Sequence, residues 1–237
     1  MGKVNNIYSI HAKHYVAVDC IIFGYEDEVL KVLLYPRGFE PAAGKWSLLG
    51  GFVETEETLG DAARRILLNT TGLQHIYQEQ VHAFSKLDRD PAGRVISVAY
   101  YALIRINQQD RDLLKEHGAR WWPVAKLPKL IFDHKDMVED SLVALQKKAG
   151  NELIGPELLG DKFTLTQLKK LYEAIFLRPL DAGNFRKKVL SLGVLQSTGI
   201  KDKADSKKGA FLYQYVPGNT GEPNLAPIIK TNGQFKS

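Results

Sequence analysis

Apolar residues in the first two thirds of the chain recur with two different periods, and each period predicts its own kind of element. Apolar runs rich in β-branched residues at 16–24 and 29–35 predict the two strands of a hairpin, and residues 94–104 predict a further long strand. At 59–70 and 135–149 the apolar residues recur every three or four positions, which is typical of amphipathic helices. This mixture of strands and helices predicts an α/β unit.

The last third of the chain predicts a second unit, which begins with a helix-turn-helix pattern. Thr164 and Gln167 form a T-x-x-Q capping box ahead of an apolar stripe, and this combination marks the N-terminus of a helix. Pro179 prevents that helix from continuing. Asp181 is the predicted N-cap of a second helix, which ends at Gly193.

Basic residues dominate the outward face of the second helix and the loop that follows it. Short strands are predicted at 194–198 and 210–216, with a lysine-rich loop at 199–209 between them. This is a winged helix-turn-helix pattern, in which the second helix fits the major groove and the hairpin tip contacts the DNA backbone. The predicted DNA-binding residues are Asn184, Arg186, Lys187, Lys188, Lys201, Lys203, Lys207 and Lys208. A helical hairpin that binds another protein and has a merely soluble basic surface is the alternative.

Glycine and proline mark the boundary between the two units. Residues 150–162 carry three glycines and a proline between helical patterns, which is typical of a connecting segment. We therefore predict a first domain at 1–150, a linker at 151–162 and a winged helix domain at 163–216. The tail at 217–237 is rich in glycine, proline and asparagine, and we expect it to be poorly ordered.

The distribution of charge favours a polyanion as the partner of the second unit. The 32 lysines and arginines exceed the 27 aspartates and glutamates by 5. Residues 1–150 hold 19 of each sign, so the remaining 13 basic and 8 acidic residues, and with them the whole excess, lie in 151–237. A basic segment beside a neutral one is typical of a nucleic-acid-binding module attached to another domain.

Composition excludes several classes of protein. With 44% hydrophobic and 25% charged residues, the chain has the composition of a soluble globular protein. Its apolar runs are shorter than the roughly 20 residues of a membrane span, and its first residues show no apolar leader, so we expect no membrane partner and a cytoplasmic location. Cys20 is the single cysteine, which excludes an intrachain disulfide framework and a multi-cysteine zinc site.

Residues 44–73 resemble the Nudix box, whose pattern is G-x5-E-x7-R-E-U-x-E-E-x-G-U, with U an aliphatic residue. Gly51, Glu57 and Arg65 fit the first glycine, the first glutamate and the arginine. The later aliphatic and glycine positions are filled by Leu67, Gly72 and Leu73. The resemblance implies the Nudix fold, a mixed sheet sandwiched between helices, with the box forming a loop, a helix and a second loop.

The box departs from the pattern at the positions that would hold metal. In active Nudix hydrolases the glutamates after the arginine bind the divalent cations that activate water and polarise the diphosphate. Here Ile66, Asn69 and Thr70 replace all three, so we assign no catalytic residue, no metal and no cofactor. Glu54 and Glu56 remain nearby, either as solvated charges or as a non-standard route to a metal.

A Nudix domain that lacks these glutamates and is followed by a winged helix resembles the Nudix-related transcriptional regulators, both NrtR-like and AraR-like. The resemblance implies a homodimer that binds double-stranded operator DNA and a small sugar or nucleotide-sugar effector. ADP-ribose is the effector of some branches and a pentose such as arabinose that of others. Residues 39–42 and 46–51 look closer to the branch that governs sugar utilisation. Arg37, Asp88 and Arg89 fall in predicted loops and are candidate effector contacts.

Two other functions stay open at this point. One is a Nudix hydrolase of a nucleoside diphosphate sugar, with the basic domain as an accessory. The other is an adaptor that binds RNA or protein. A further alternative concerns Asp133 and His134, which are either an effector contact or the N-cap and first turn of the helix at 135–149.

Overall fold

The computed structural model describes residues 7–72, 76–106, 118–203, 209–216 and 227–229. Its first unit is built around one seven-stranded sheet in which β3, β2, β1, β6 and β5 lie side by side, while β4 pairs with β1 and β7 with β2. β1 and β6 are parallel and the other pairs are antiparallel, so the sheet is mixed as predicted. The strands are β1 (Tyr15–Glu26), β2 (Val29–Pro36), β3 (Trp46–Ser47), β4 (Leu49–Phe52), β5 (Tyr77–Phe84), β6 (Val95–Arg105) and β7 (Arg120–Pro123).

Helices cover both faces of this sheet, because the central strand β1 is apolar on both sides. Cys20 and Ile22 face α1 (Leu59–Thr71) and pack in one core cluster. Ile21 and Phe23, which alternate with them, face α2 (His134–Asn151) and pack in the other. This alternation follows from the two-residue repeat of a strand, and it confirms the sandwich that the sequence predicts.

The winged helix unit is preceded by two short elements that the sequence does not predict, α3 (Pro156–Leu159) and β8 (Lys162–Thr164). The unit itself comprises, in the predicted order, α4 (Leu165–Phe176), α5 (Ala182–Ser191), β9 (Leu195–Asp202) and β10 (Ala210–Tyr215). The predicted capping box is confirmed, since the Gln167 amide donates to Thr164 Oγ1 at 3.1 Å and the Thr164 amide donates to Gln167 Oε1 at 2.9 Å. Asp181 caps α5 by accepting from the Asn184 amide at 2.8 Å.

The wing is longer than the sequence predicts. The strand expected to end at residue 198 continues to Asp202, so that Lys201 lies opposite Phe211 on β10 and belongs to a strand instead of a loop. Gly199 adopts a left-handed conformation with φ of 75°, and the pairing shifts register between Phe211 and Tyr213. Gly199 therefore bends β9 where it pairs with β10, whereas the sequence predicts that the strand ends before this glycine.

The segment predicted as a linker contains the short helix α3 and packs against both units. Ile154 and Leu158 are buried in the same apolar cluster as Phe23 of the sheet and Leu168 of α4. The Tyr172 hydroxyl accepts from the Ile154 amide at 3.1 Å. The two units are thus joined by a continuous apolar core.

Only a short part of the predicted tail lies within the described residues. Ile228 and Ile229 are buried there, at 7% and 8% exposure, in the same apolar cluster. The remaining residues at 217–226 and 230–237 lie outside the described part, as do Leu73 of the box pattern and the predicted DNA contacts Lys207 and Lys208. No helix in the described ranges is long and apolar enough to cross a membrane.

Candidate functional site

A cavity of about 450 Å³ opens in the first unit where the end of β2, the start of α2 and strand β4 meet. Its walls carry aromatic and aliphatic side chains together with a few charged groups, a composition suited to a small polar ligand. The residues that give it polar or aromatic character are Asp19, Tyr35, Arg37, Phe39, Ser47, Phe52, Arg89, Asp90, Phe132 and His134.

Asp19 lies at the centre of the polar part of this cavity, although it stands in an apolar run of β1. Its side chain is 11% exposed, and Oδ2 accepts from Ser97 Oγ of β6 at 2.5 Å. Arg89 Nη2 lies 3.7 Å from the same oxygen. The sequence analysis missed both Asp19 and Ser97. The sequence signal that could have identified them is a polar residue at a buried position in each of two otherwise apolar strands.

Arg89 and Asp133 form a buried ion pair beside Asp19. Arg89 donates from Nε to Asp133 Oδ2 at 2.9 Å and from Nη2 to Oδ1 at 2.8 Å, in the bidentate geometry that favours arginine over lysine. The two side chains are 3% and 8% exposed. The predicted position of Asp133 at the N-cap of α2 is confirmed, but its side chain makes no capping bond, because both carboxylate oxygens accept from Arg89.

His134, the first residue of α2, is also buried in the wall of the cavity. Its Nδ1 accepts the Leu48 backbone amide at 3.0 Å, which places the ring proton on Nε2 in the neutral form. Nε2 lies 3.9 Å from Asp19 Oδ1. Burial lowers the pKa of His134 in spite of Asp19 and Asp133, whose charges act in the opposite direction. The side chain is therefore neutral at physiological pH and can donate to a ligand from Nε2.

The depressed pKa of His134 predicts a dependence of stability on pH. As the pH falls below about 6.5, His134 in the unfolded chain binds a proton that the folded protein excludes, so the free energy of unfolding decreases until the folded pKa is reached. We expect His134→Asn, which retains an acceptor for the Leu48 amide, to remove this part of the decrease. Urea denaturation between pH 7.5 and 5 measures it.

The matched control is His11→Asn, because the His11 side chain is exposed and does not line the cavity. Its free energy of unfolding should follow that of the wild type across the same pH range. A His134→Asn variant with the same pH profile as the wild type would show that this histidine titrates normally in the folded protein.

The three predicted effector contacts differ in their placement. Arg37 lines the cavity, with its guanidinium 4.0 Å from the centre of the Phe39 ring and 5.2 Å from that of Phe132. Arg89 lines it as well, but its Nε and Nη2 groups donate to Asp133. Asp88 is exposed on the neighbouring loop, outside the set of residues that line the cavity.

Gly50 and Gly51 bring the backbone of β4 close to this site. A Cβ on Gly50 would overlap Asp19 Oδ1, so only glycine allows β4 to pass the carboxylate at this distance. A Cβ on Gly51 would lie 3.2 Å from Ile66 Cδ1 of α1. The paired glycines therefore allow one strand to pack between Asp19 and the helix of the box.

The box forms the predicted first loop and helix, which its retained ion pair braces, and the predicted second loop lies beyond Gly72, outside the described residues. Arg65 of α1 donates to Glu57 Oε2 at 2.9 Å and to Oε1 at 2.5 Å, and it also donates to the Phe52 carbonyl at 3.0 Å. The hydrogen bond from Arg65 lowers the pKa of Glu57. Gly72 ends the helix in a left-handed conformation with φ of 70°.

The positions of the missing glutamates do not fit a divalent cation. Ile66 is 5% exposed and packs in the core, and the Thr70 hydroxyl donates to the Ile66 carbonyl. Asn69 is exposed and neutral. Among the described residues, no three His, Cys, Asp or Glu side chains come together as a metal site would require.

The second helix of the winged unit, α5, presents polar and basic groups away from its core. Phe185 and Val189 are buried, whereas Asn184, Arg186 and Lys187 are exposed. Lys188 is half-buried at the edge of this face. The exposed set lies on one side of a helix of the length that enters a major groove.

The wing carries further basic groups beside this helix. Lys203 is exposed just beyond the end of β9. Lys201 Nζ lies 4.9 Å from the centre of the Phe211 ring, which is itself 46% exposed. An exposed cation held over an exposed ring at the wing tip is a suitable contact for phosphate or the minor groove.

Comparison with known proteins agrees with both units. Residues 13–141 match the model of the NUDIX domain, and residues 155–215 match that of the NrtR DNA-binding winged helix domain. The ADPR responsive transcriptional repressor NtrR of Acinetobacter baylyi is 32% identical over 205 residues, which cover 85% of this chain and 82% of the repressor.

Two further proteins match with different coverage. The crystal structure of Shewanella oneidensis NrtR complexed with a 27mer DNA has a TM-score of 0.78 and 30% identity, covering 90% of this chain and 98% of that one. The ADP-ribose pyrophosphatase of Methanocaldococcus jannaschii is 36% identical over 134 residues, which cover 56% of this chain and 76% of the enzyme. The chain belongs to the Nudix family, and within it to the NrtR-type regulators that carry a DNA-binding winged helix domain.

Proposed function

We propose that this protein is a transcriptional repressor that binds operator DNA through α5 and the wing and changes its operator affinity when ADP-ribose occupies the cavity at Asp19 and His134. The observation that carries the proposal is the match along both units to the A. baylyi repressor, whose name states its response to ADP-ribose. The cavity supports this effector class chemically. Arg37 offers a positive charge for a diphosphate, and His134 offers a donor for a ribose hydroxyl.

The relatives bear on the choice between the two effector classes. The two curated relatives named above both carry ADP-ribose in their names, and the sugar-utilisation branch favoured by residues 39–42 and 46–51 finds no support in them. We therefore place ADP-ribose ahead of arabinose or another pentose. The predicted homodimer belongs to the proposal as well, since two recognition helices read a pseudo-palindromic operator.

A titration on the DNA upstream of the protein's own gene tests the proposal. We expect ADP-ribose to change the operator affinity by about 5- to 150-fold at fixed salt, the usual range of allosteric coupling, and arabinose and xylose to leave it unchanged. Fluorescence anisotropy with a labelled duplex measures this, with a duplex of the same composition in scrambled order as the control. Equal affinity for both duplexes would favour the RNA or protein adaptor.

The alternative function is hydrolysis of ADP-ribose, the activity in the name of the M. jannaschii pyrophosphatase. Because Ile66, Asn69 and Thr70 supply no carboxylate, we expect no release of AMP from ADP-ribose in the presence of Mg²⁺ or Mn²⁺. Chromatography after overnight incubation detects such a product. Metal-dependent cleavage that is lost in Glu57→Gln would establish the hydrolase instead.

A further inference from the structure

Helix α2 extends from the cavity of the first unit to the winged helix unit. His134, in the first turn of α2, lines the cavity. The 18 residues of the helix span about 27 Å at 1.5 Å per residue. Towards its other end, Gln146 Nε2 donates to the Ile175 carbonyl of α4 at 2.9 Å. One helix therefore touches the candidate effector site and the first helix of the winged unit.

The segment 227–229 extends this connection from α2 to α5. The Gly150 carbonyl, in the last turn of α2, accepts the Ile228 amide at 2.6 Å and lies 3.4 Å from the Ile229 amide nitrogen. The side chains of Ile228 and Ile229 are buried in the apolar cluster that contains Phe185 and Val189 of α5. The segment is thus held by the backbone of α2 on one side and by apolar packing on the other.

The same segment also lies beside the DNA-facing side chains. Pro227, Ile228 and Ile229 share the walls of a cavity of about 690 Å³ with α5. On the side of α5, the walls include Asn184, Lys187, Lys188 and Ser191. A shift of the segment relative to α5 would therefore change the surroundings of three predicted DNA contacts.

From these contacts we infer that residues 227–229 couple the cavity to the recognition helix, with Ile228 and Ile229 acting as positioning residues for α5. The inference rests on the proposed function, because it requires an effector that changes DNA affinity. An effector acts on DNA binding only by favouring one arrangement of the two units. The segment transmits such a preference from one unit to the other, since it connects the last turn of α2 to the side of α5.

The double variant Ile228→Ala/Ile229→Ala tests this role in the full-length protein. We expect the variant to bind the operator. ADP-ribose should change its operator affinity by less than about 2-fold, compared with the change of about 5- to 150-fold that we expect for the wild type. ADP-ribose affinity in the absence of DNA should stay at the wild-type value, because the cavity lies at the opposite end of α2. A merely structural role would lower the melting temperature without separating these two affinities.

The matched control is Leu87→Ala/Val143→Ala, which removes two exposed apolar side chains from the first unit, 80% and 40% exposed. In this control variant, ADP-ribose should change operator affinity by the same factor as in the wild type. A wild-type protein that shows no response to ADP-ribose would contradict the proposed function itself. A wild-type response that persists at full size in the Ile228→Ala/Ile229→Ala variant would overturn the coupling role alone.

A second variant covers the case in which the double variant does not fold. Ile228→Val retains the amide donated to Gly150 and removes one methylene from the apolar contact, and it should reduce the response while melting as the wild type does. Coupling is reciprocal, so operator DNA should change ADP-ribose affinity by the same reduced factor. Tighter operator binding with an unchanged response would show that the segment only covers α5.

Discussion

Replacing Arg186 and Lys187 together by alanine is expected to weaken binding to the operator by about 100-fold at fixed salt, with no loss of fold. Both side chains are exposed on α5, so their removal leaves the buried contacts of Phe185 and Val189 intact. An arginine that forms a fork with guanine contributes about 1–3 kcal/mol, and a lysine on phosphate adds a salt-dependent term. The sum of these two contributions gives the expected loss of operator affinity of about 100-fold.

Salt dependence separates the two contributions. A lysine that contacts phosphate releases about one counterion, so Lys187→Ala alone should lower the slope of log affinity against log salt by about 1. Arg186→Ala should instead reduce discrimination between the operator and a single-base variant if the guanidinium reads a base. Anisotropy titrations at four salt concentrations provide both quantities.

The control for this double variant removes the same charge elsewhere. Lys126→Ala/Lys147→Ala also lowers the net charge by two, and both lysines are exposed on the first unit. It should change operator affinity by less than about 3-fold, the effect of general electrostatic attraction alone. Equal losses in the two double variants would show that α5 makes no specific contact and would favour the adaptor over the regulator.

Local signals made the winged helix unit predictable. The capping box at Thr164 and Gln167 and the N-cap at Asp181 depend on residues three positions apart, so the sequence contains the whole interaction. The pair of Glu57 and Arg65 is eight positions apart, but a family pattern supplied it. The longer wing was missed because a glycine can end a strand or bend it, and only the pairing with β10 decides which.

The polar cluster of the cavity was less predictable because its members come from distant segments. Asp19 and Ser97 meet because β1 and β6 are parallel neighbours, and this pairing is a tertiary property. Asp133 was placed correctly at the start of α2, but local reasoning gave it the wrong partner. A buried arginine 44 positions away forms two charge-assisted bonds, which outweigh one bond to a helix amide.

This cluster also carries the largest predicted effect on stability. Arg89→Met should lower the free energy of unfolding by about 3–5 kcal/mol, because it leaves the Asp133 carboxylate buried without its cation. For a chain of this size the melting temperature should fall by about 10 °C. The matched control is Lys135→Ala, which breaks an exposed pair with Glu139 whose side chains are 67% and 59% exposed. That change should cost less than about 1 kcal/mol.

Replacing both partners of the buried pair distinguishes its net contribution from the cost of an unpaired charge. Arg89→Met/Asp133→Leu should recover most of the lost stability, because an apolar pair of similar volume needs no desolvation of charge. The recovery should be incomplete, since Asp19 also lies 3.7 Å from Arg89 and keeps its own carboxylate buried. Thermal denaturation of the four proteins completes the double-mutant cycle. If the double variant is as unstable as the sum of the two single variants, the pair is not coupled, and its position beside the cavity must be explained by ligand binding alone.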